Sequence, residues 1–233
     1  MWNGKLKALT FSFDDGVTQD ERAIKILDKY GLKATFNINS SFMGLSGSLE
    51  RNGKTVSHNK INPADVKSIY ANHELAVHTL THPNLTGLDE NTIIWQVSQD
   101  KAAIEALCGK PVCGMAYPCG GTNNDDRVAA IIAENTDIKY ARTIESTYDF
   151  TLQTENLLRF DPTVYYIEEA KLFELGEKFI ALDPDKPSLL YVWGHTYEMD
   201  ADYISWERFE DFCKLVAGKD DIFYGTNSEI LVK

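Results

Sequence analysis

The stretch LTFSFDDGVTQDERA, residues 9–23, decides the fold because it joins an apolar run to an acidic glycine turn and then to a helical pattern. Thr18 and Glu21 have the spacing of a capping box, and apolar residues then recur at helical spacing until Gly31 offers a C-cap. A strand, a turn and a helix in this order are the repeating unit of α/β proteins.

The rest of the chain continues this alternation of strand-like and helix-like segments, which favours parallel strands joined by crossover helices. About seven parallel strands are expected, in a barrel-like or doubly wound arrangement. Residues 43–60 show no periodicity and are expected to be a loop insertion near one rim. Further strands are predicted at 33–39, 73–79, 112–117, 138–143, 188–195 and 221–227, with helices around 93–107, 128–132, 168–182 and 206–216.

The length of 233 residues suits one domain with one core, so residues 1–233 are expected to form a single catalytic domain. No run approaches the roughly 18 apolar residues of a membrane span. The first residues lack the apolar segment and cleavage site of a signal peptide. A cytoplasmic location is therefore expected for the chain as given, or secretion if a leader has been removed.

The formal net charge of -12 makes nucleic acid an improbable partner, because binding to phosphate backbones depends on clustered Lys and Arg. The 4 cysteines form no CxxC pair. Reduced, mostly buried thiols are therefore expected rather than a zinc ribbon or a thioredoxin motif.

Asp14 and Asp15 stand directly between an apolar run and Gly16. Where a strand runs into a glycine turn, two neighbouring side chains can point toward one pocket, so the step permits a paired-carboxylate site. The alternative is that both acids only satisfy turn and N-cap hydrogen bonds.

His78 and His82 stand four residues apart, just after a predicted strand. This spacing lets two imidazoles reach one Zn²⁺, Co²⁺ or Ni²⁺ ion, and the acidic turn supplies a third ligand. A chance pair of histidines is the alternative. His73 lies at the other end of the same strand and is interpreted as structural.

TFSFDDG and HTLTH together resemble the first two motifs of the polysaccharide deacetylases of carbohydrate esterase family four, the NodB-homology domain. The similarity runs from about Leu9 to His195. The resemblance implies a distorted (β/α) barrel and a metal-dependent deacetylase. By position, Asp14 would be the general base, and the ligands of a divalent metal, Zn²⁺ before Co²⁺ or Ni²⁺, would be Asp15, His78 and His82.

The third family motif, Arg-x-Pro-Tyr-Gly, resembles AYPCGG, where Pro118 and Gly120 match and would border the substrate. Cys119 replaces the aromatic residue and keeps the backbone N–H that would bind the oxyanion. Ala116 stands in the position of the Arg. Arg142, at the end of another predicted strand, is a candidate to replace it, an ordinary surface ion pair being the alternative. Cys119 as a nucleophile is disfavoured because no Cys-His-Asn pattern is visible.

The fifth family motif resembles LLYVWGHTYEMD, in which His195 would be the general acid and Leu190 or Val192 the pocket residue. Trp193 and Tyr197 are candidates for aromatic substrate contacts, with core packing as the alternative.

The fourth family motif is poorly matched. Asp149 or Asp161 is expected to supply the carboxylate that tunes His195.

The strongest candidates all fall at the C-terminal ends of separate predicted strands, the face where β/α barrels place active sites. The function expected is removal of acetyl groups from an N-acetylated amino sugar oligomer or from O-acetylated xylan. A hydrolase of another small C–N substrate and a catalytically silent carbohydrate-binding protein are the alternatives. Mg²⁺-dependent phosphoryl transfer is disfavoured, since imidazole ligands do not suit Mg²⁺.

Overall fold

The computed structural model describes residues 2–232, which contain ten strands and seven α-helices. The strands are β1 (Lys7–Asp14), β2 (Ala34–Ile38), β3 (Ser48–Arg51), β4 (Lys54–Ser57), β5 (Glu74–Val77), β6 (Gly114–Ala116), β7 (Tyr140–Arg142), β8 (Val164–Tyr165), β9 (Ser188–Gly194) and β10 (Ile222–Tyr224). The helices are α1 (Asp20–Lys29), α2 (Val66–Ile69), α3 (Glu90–Cys108), α4 (Asp126–Asn135), α5 (Glu169–Ala181), α6 (Trp206–Val216) and α7 (Asn227–Leu231). Within this described part, every helix is too short or too polar to cross a bilayer.

One parallel sheet holds eight of the strands in the order β7-β6-β5-β2-β1-β9-β8, and β10 pairs with the first residues of β1. A parallel bridge from Arg142 to Phe160, a residue just before β8, links the two ends of the curled sheet. The predicted distorted (β/α) barrel of about seven parallel strands is therefore confirmed. The added strand, β8, has two residues and no sequence signal.

Residues of β1 alternate between the two faces of the sheet, and both faces are covered, so the strand is buried throughout. Phe11 and Phe13 point outward and pack edge-on against Phe209 of α6. Ser12 and Asp14 point inward, where both contact Asn37 of β2. The larger apolar core thus lies between sheet and helices, and the barrel interior combines these polar side chains with a second apolar cluster that includes Tyr191 and Trp193.

The helix α7 plugs the end of the barrel where the strands begin. The side chain of Asn227 accepts a hydrogen bond from Thr10 Oγ1 (2.9 Å) and donates one to Tyr191 Oη (2.6 Å), while its backbone N–H donates to Thr35 Oγ1 (2.9 Å). This end of the barrel is closed by polar side chains that satisfy each other.

The predicted capping box at Thr18 is wrong. The helix α1 begins at Asp20 with Gln19 at its N-cap and no side-chain cap, because Val17 O accepts from Asp20 N and residues before the helix form a turn. The predicted stop at Gly31 (φ 65°) is confirmed: Leu32 N donates to Leu27 O across it, as in a Schellman motif.

Residues 43–60 are not an irregular loop. They contain an antiparallel hairpin of β3 and β4, in which Leu49 pairs with Val56. The connecting residues Asn52 and Gly53 both have positive φ (51° and 71°), as a type I′ turn requires. We call residues 48–57 the rim hairpin.

Candidate metal centre and active site

A cleft of about 640 Å³ opens at the C-terminal ends of the strands. Its volume is that of an ordinary small-molecule pocket. Arg142 lies beneath it, and Pro118 is buried without lining it. The predicted site residues that line the cleft are Asp14, Asp15, His78, His82, Cys119, Gly120, Trp193, His195 and Tyr197.

Asp14, the last residue of β1, forms a buried ion pair with Arg142, the last residue of β7. The Arg142 Nη2 contacts both carboxylate oxygens, at 2.5 Å for Oδ1, and Asn37 Nδ2 donates to Oδ1 (2.8 Å). Although burial opposes the charged carboxylate, the guanidinium lowers the pKa of Asp14 below its usual value. Asp14 is thus an ionised acceptor held in one orientation by Arg142, whereas Ala116 has no side chain that could pair with it.

Asp15 faces two imidazoles instead. Its Oδ1 lies 3.7 Å from His82 Nε2 and 3.9 Å from His78 Nε2, and one ligand atom of each residue falls within 4.8 Å of the others. His78 Nδ1 lies 2.9 Å from Ala116 O, so it carries the proton and Nε2 presents its lone pair toward Asp15. Burial lowers the pKa of His78 to about 4 and also lowers that of His82, which keeps both rings neutral. Two neutral imidazoles and one carboxylate are a donor set that fits Zn²⁺.

The backbone around these ligands is strained. Buried polar side chains hold the loop that follows β5: Asn39 Nδ2 donates to His78 O (2.6 Å) and to Thr79 O (2.8 Å), and Asp100 accepts from His78 N (3.1 Å). Such conformations persist only where the surroundings enforce them, and they concentrate at functional sites. The residues concerned, all with positive φ, are Asp15 (84°), His82 (57°) and Cys119 (70°), which line the cleft, and the buried Thr79 (66°).

His195 approaches the first acid from the opposite side, with its Nε2 4.0 Å from Asp14 Oδ2. Its Nδ1 lies 3.3 Å from Glu198 Oε1, and its backbone N–H donates to Glu198 Oε2 (3.0 Å). Burial favours the neutral ring, but Glu198, Asp14 and Asp15 outweigh it and raise the pKa of His195 to about 9. A protonated imidazole therefore faces an ionised carboxylate.

Asp149 and Asp161 do not tune His195. Asp161 accepts from the Thr143 hydroxyl and Asp149 from Thr151 N (2.7 Å), both away from the imidazole. The carboxylate is that of Glu198, which sequence reasoning missed. The available signal was its position three residues after His195, the spacing of a capping box.

Leu190 and Val192 are not pocket residues either. Both are fully buried in the core between sheet and helices, because they lie on the outward face of β9. Trp193 points the other way and stacks between Tyr165 (4.2 Å between ring centroids) and the Arg142 guanidinium (4.4 Å). Trp193 and Tyr197 both border the cleft, yet each exposes only 4% of its surface.

Cys119 lines the cleft. Its N–H donates no hydrogen bond to any of residues 2–232, while its Sγ lies 3.6 Å from His82 O. Burial, together with Asp15, raises the pKa of the Cys119 thiol, so it is protonated near neutral pH and is a poor nucleophile.

Two residues at the end of the 43–60 segment were missed entirely. His58 Nε2 lies 3.2 Å from Asp15 Oδ2, and the buried Lys60 donates to Asp15 O (2.7 Å) with its Nζ 3.8 Å from Oδ1. Despite burial, His58 and Lys60 hold the pKa of Asp15 well below its usual value. Nothing in the local pattern marked them, because their role depends on how the rim hairpin docks.

A family model described as polysaccharide deacetylase matches residues 3–140, which is more than half of the chain. A comparison with curated protein sequences found no match.

Similar solved structures share the fold at low sequence identity. They include a family 4 carbohydrate esterase pseudoenzyme from Bacillus anthracis, with TM-score 0.59 and 19% identity, covering 98% of this chain and 66% of that one. A family 4 carbohydrate esterase from Streptomyces lividans, in complex with acetate, has TM-score 0.56 and 14% identity, covering 95% and 92%. A peptidoglycan deacetylase mutant from Bacillus subtilis has TM-score 0.55 and 18% identity, covering 99% and 91%. This chain thus spans about two thirds of the pseudoenzyme structure and about nine tenths of the other two.

Proposed function

The chain belongs to the polysaccharide deacetylase family, and from this premise we propose that it is a metal-dependent hydrolase that removes acetyl groups from a carbohydrate. The observation that carries the proposal is the division of labour at residues 14 and 15. Asp14 contacts Arg142 and faces His195, whereas Asp15 contacts the two imidazoles. These contacts support a role for Asp14 in moving a proton and for Asp15 in holding an ion.

The ligand set proposed for the ion is Asp15, His78 and His82. Zn²⁺ is the first choice, with Co²⁺ or Ni²⁺ as substitutes, because two imidazoles and a carboxylate leave a position open for water or substrate. When bound, such an ion polarises a carbonyl and lowers the pKa of a water molecule.

Asp14 acts as the general base. As water attacks the acetyl carbon, Asp14 takes one of its protons, and Arg142 with Asn37 holds the carboxylate in one orientation. A low pKa keeps Asp14 ionised and ready to accept a proton across the neutral range.

Cys119 and His195 act on the other atoms of the acetyl group. The N–H of Cys119 donates to the oxygen that becomes negatively charged in the tetrahedral intermediate. His195 then gives its Nε2 proton to the departing nitrogen or oxygen as the bond to the acetyl carbon breaks, and acetate leaves. Glu198 keeps the imidazole oriented and protonated for this step.

The proposed substrate is an N-acetylated amino sugar oligomer or an O-acetylated xylan, with Gly120, Trp193 and Tyr197 bordering the bound sugar. The proposal draws on the esterase and the peptidoglycan deacetylase among the similar structures. A hydrolase of another small C–N substrate would use the same groups in the same roles.

A catalytically silent carbohydrate-binding protein is the second candidate, favoured by the similarity to a pseudoenzyme. Against it, this cleft keeps the two acids, both imidazoles, the buried Asp14–Arg142 pair and His195 with its carboxylate.

The test is acetate release from acetylated xylan, chitooligosaccharides and peptidoglycan, measured on purified protein with chelator and after adding back Zn²⁺ or Co²⁺. We expect release from at least one substrate that chelation abolishes and metal restores. Protein that binds the metal and releases no acetate from any of them would favour the silent binding protein or another C–N substrate.

A further inference from the structure

The rim hairpin forms one wall of the cleft together with the residues that follow β9. Asn52 Nδ2 donates to Ala201 O (2.9 Å), and Gln19 Nε2 links the two segments through Ser57 O (2.8 Å) and Asp200 Oδ2 (2.9 Å). The apolar side of the hairpin packs in a small cluster with Tyr197. The wall is therefore fixed by hydrogen bonds and apolar contact rather than free to swing.

Every carboxylate that lines the cleft has a cationic or imidazole partner. Asp14 is paired with Arg142, and Glu198 with His195. Asp15 contacts Lys60 and His58 in addition to the two proposed imidazole ligands. The carboxylates of the cleft are thus balanced by cationic and imidazole side chains of the protein itself.

Arg51, at the end of β3, is different because it lines the same cleft without such a partner. Among residues 2–232, no carboxylate oxygen lies within 4.0 Å of its guanidinium nitrogens. Its Nη1 donates to Glu50 O (2.9 Å), and the guanidinium lies beside the Tyr197 phenol, where it offsets part of the burial that raises the pKa of Tyr197.

A guanidinium presents planar donors that match a carboxylate in two parallel hydrogen bonds. Its charge gains most from a partner where water is displaced. Arg51 is itself exposed, so a sugar bound in the cleft would have to displace the water around its guanidinium, and the fixed wall keeps the residue at the edge of the cleft.

We propose that Arg51 is a specificity-determining residue that selects an acetylated carbohydrate bearing a carboxylate on the sugar at or next to the reacting acetyl group. This inference rests on the proposed deacetylase function and names the substrate class within it. The carboxylate belongs to a uronic acid branch or to a lactyl ether on an amino sugar, and both present the same planar group to the guanidinium.

The test compares matched substrates. Acetylated xylo-oligosaccharides with and without a glucuronic acid branch form one pair, and N-acetylated amino sugar oligomers with and without a lactyl ether form the other. The preference is the ratio of kcat/KM for the acidic over the neutral member. We expect about a tenfold preference in one pair, which identifies the source of the carboxylate. The ratio falls to about one in Arg51→Gln, drops below one in Arg51→Glu and recovers partly in Arg51→Lys.

Lys54→Gln is the matched control. Lys54 carries the same charge on the same hairpin but is paired with Asp202 and does not line the cleft, so the ratio stays at the wild-type value. Equal kcat/KM for both members of each pair, or a preference that survives in Arg51→Gln, overturns the inference while leaving the deacetylase intact.

If no substrate is turned over, calorimetric titration of the same four oligosaccharides gives the acidic-to-neutral ratio of Kd. This ratio tests Arg51 independently of catalysis, with the same variants and the same expected direction. Equal affinity for acidic and neutral members then rejects the inference about Arg51. The absence of turnover counts only against the proposed deacetylase function.

Discussion

The two ends of the barrel interior are built from similar polar residues but differ in how completely those residues are satisfied. At the end where the strands begin, Glu74 accepts from Thr35 Oγ1 (2.7 Å), Ser228 N (2.9 Å) and Tyr140 Oη (2.9 Å). One buried nitrogen there, His73 Nε2, lacks a hydrogen bond within the described residues, and Asp28 Oδ1 lies 3.3 Å from it.

At the end where the strands finish, several buried polar atoms lack a hydrogen-bond partner within residues 2–232, and the positive-φ residues of the cleft lie beside them. Unpaired buried groups and strained backbone both cost stability. The difference teaches that most of the unpartnered buried polar atoms, and with them unused hydrogen-bonding capacity, lie at the end where we place the chemistry. The unpartnered atoms are Asn37 Oδ1, Asn39 Oδ1, Thr79 Oγ1, Arg142 Nε and Trp193 Nε1.

Two histidines on the loops flanking β5 give the largest expected contrast. His82→Ala removes one of three proposed ligands, so the protein is expected to lose both bound metal and all measurable acetate release. His73→Ala, at the end of the barrel where the strands begin, is expected to keep both the bound metal and acetate release. Metal content by elemental analysis, alongside activity, checks this. Full metal retention in His82→Ala would show that His82 is not a metal ligand and that the proposed ligand set is wrong.

Two buried carboxylates give the next contrast. Asp14→Asn is expected to lower turnover by about 10²–10⁴-fold with metal still bound, because the general base is lost. Glu74→Gln is expected to keep kcat/KM but lower the free energy of unfolding by about 1–3 kcal/mol, because a buried donor loses its acceptor. Kinetics and urea unfolding of both variants separate the two ends, and equal metal loss in Asp14→Asn and His82→Ala would show that the two acids are assigned wrongly.

The pH profile sharpens the assignment of His195. A general acid must be protonated, so a pKa of about 9 predicts that kcat/KM holds through neutral pH and falls as pH rises through that value. Glu198→Gln removes the main charge that raises this pKa, so the alkaline limb moves to lower pH. A limb that stays in place in Glu198→Gln would show that another group titrates there.

Two fully buried threonines give the smallest and cleanest comparison. Thr35→Val removes a hydroxyl that both donates and accepts, and it is expected to cost about 1–3 kcal/mol of unfolding free energy. Thr79→Val replaces an unpartnered hydroxyl with a methyl group and is expected to cost less than about 1 kcal/mol. Equal losses of unfolding free energy in the two variants, measured by urea unfolding, would mean that the polar groups at the two ends are hydrogen-bonded to the same extent.

The fold could be predicted from sequence because its apolar strands alternate with helices that end at glycines, such as Gly31 and Gly109. The two-residue β8 could not, since it is too short to show a period. The rim hairpin was missed although Asn52-Gly53 is a strong hairpin signal, because each flanking strand has a single apolar residue, Leu49 or Val56, which is too few to show a period.

The candidate site could be located from two motifs, but its electrostatics could not. Arg142 was proposed from its place at a strand end, and the structure sets it against Asp14. Glu198, His58 and Lys60 act through contacts between separate loops, which no local pattern encodes. Sequence indicates which groups could react, and folding determines which charges surround them.

The position of β1 at the centre of the sheet has a consequence for how the chain is made. Its residue Lys7 pairs with Ser188 of β9 and with Ile222 of β10. These two partners lie on opposite edges of β1, and at typical ribosomal rates of about 5–20 residues per second both edges at Lys7 wait roughly ten to forty seconds after emergence for them. During translation the nascent chain thus carries an open strand edge, a known route to aggregation. Premature termination before residue 188 should give insoluble fragments, and Asp14 meets His195 only in the last stage of synthesis.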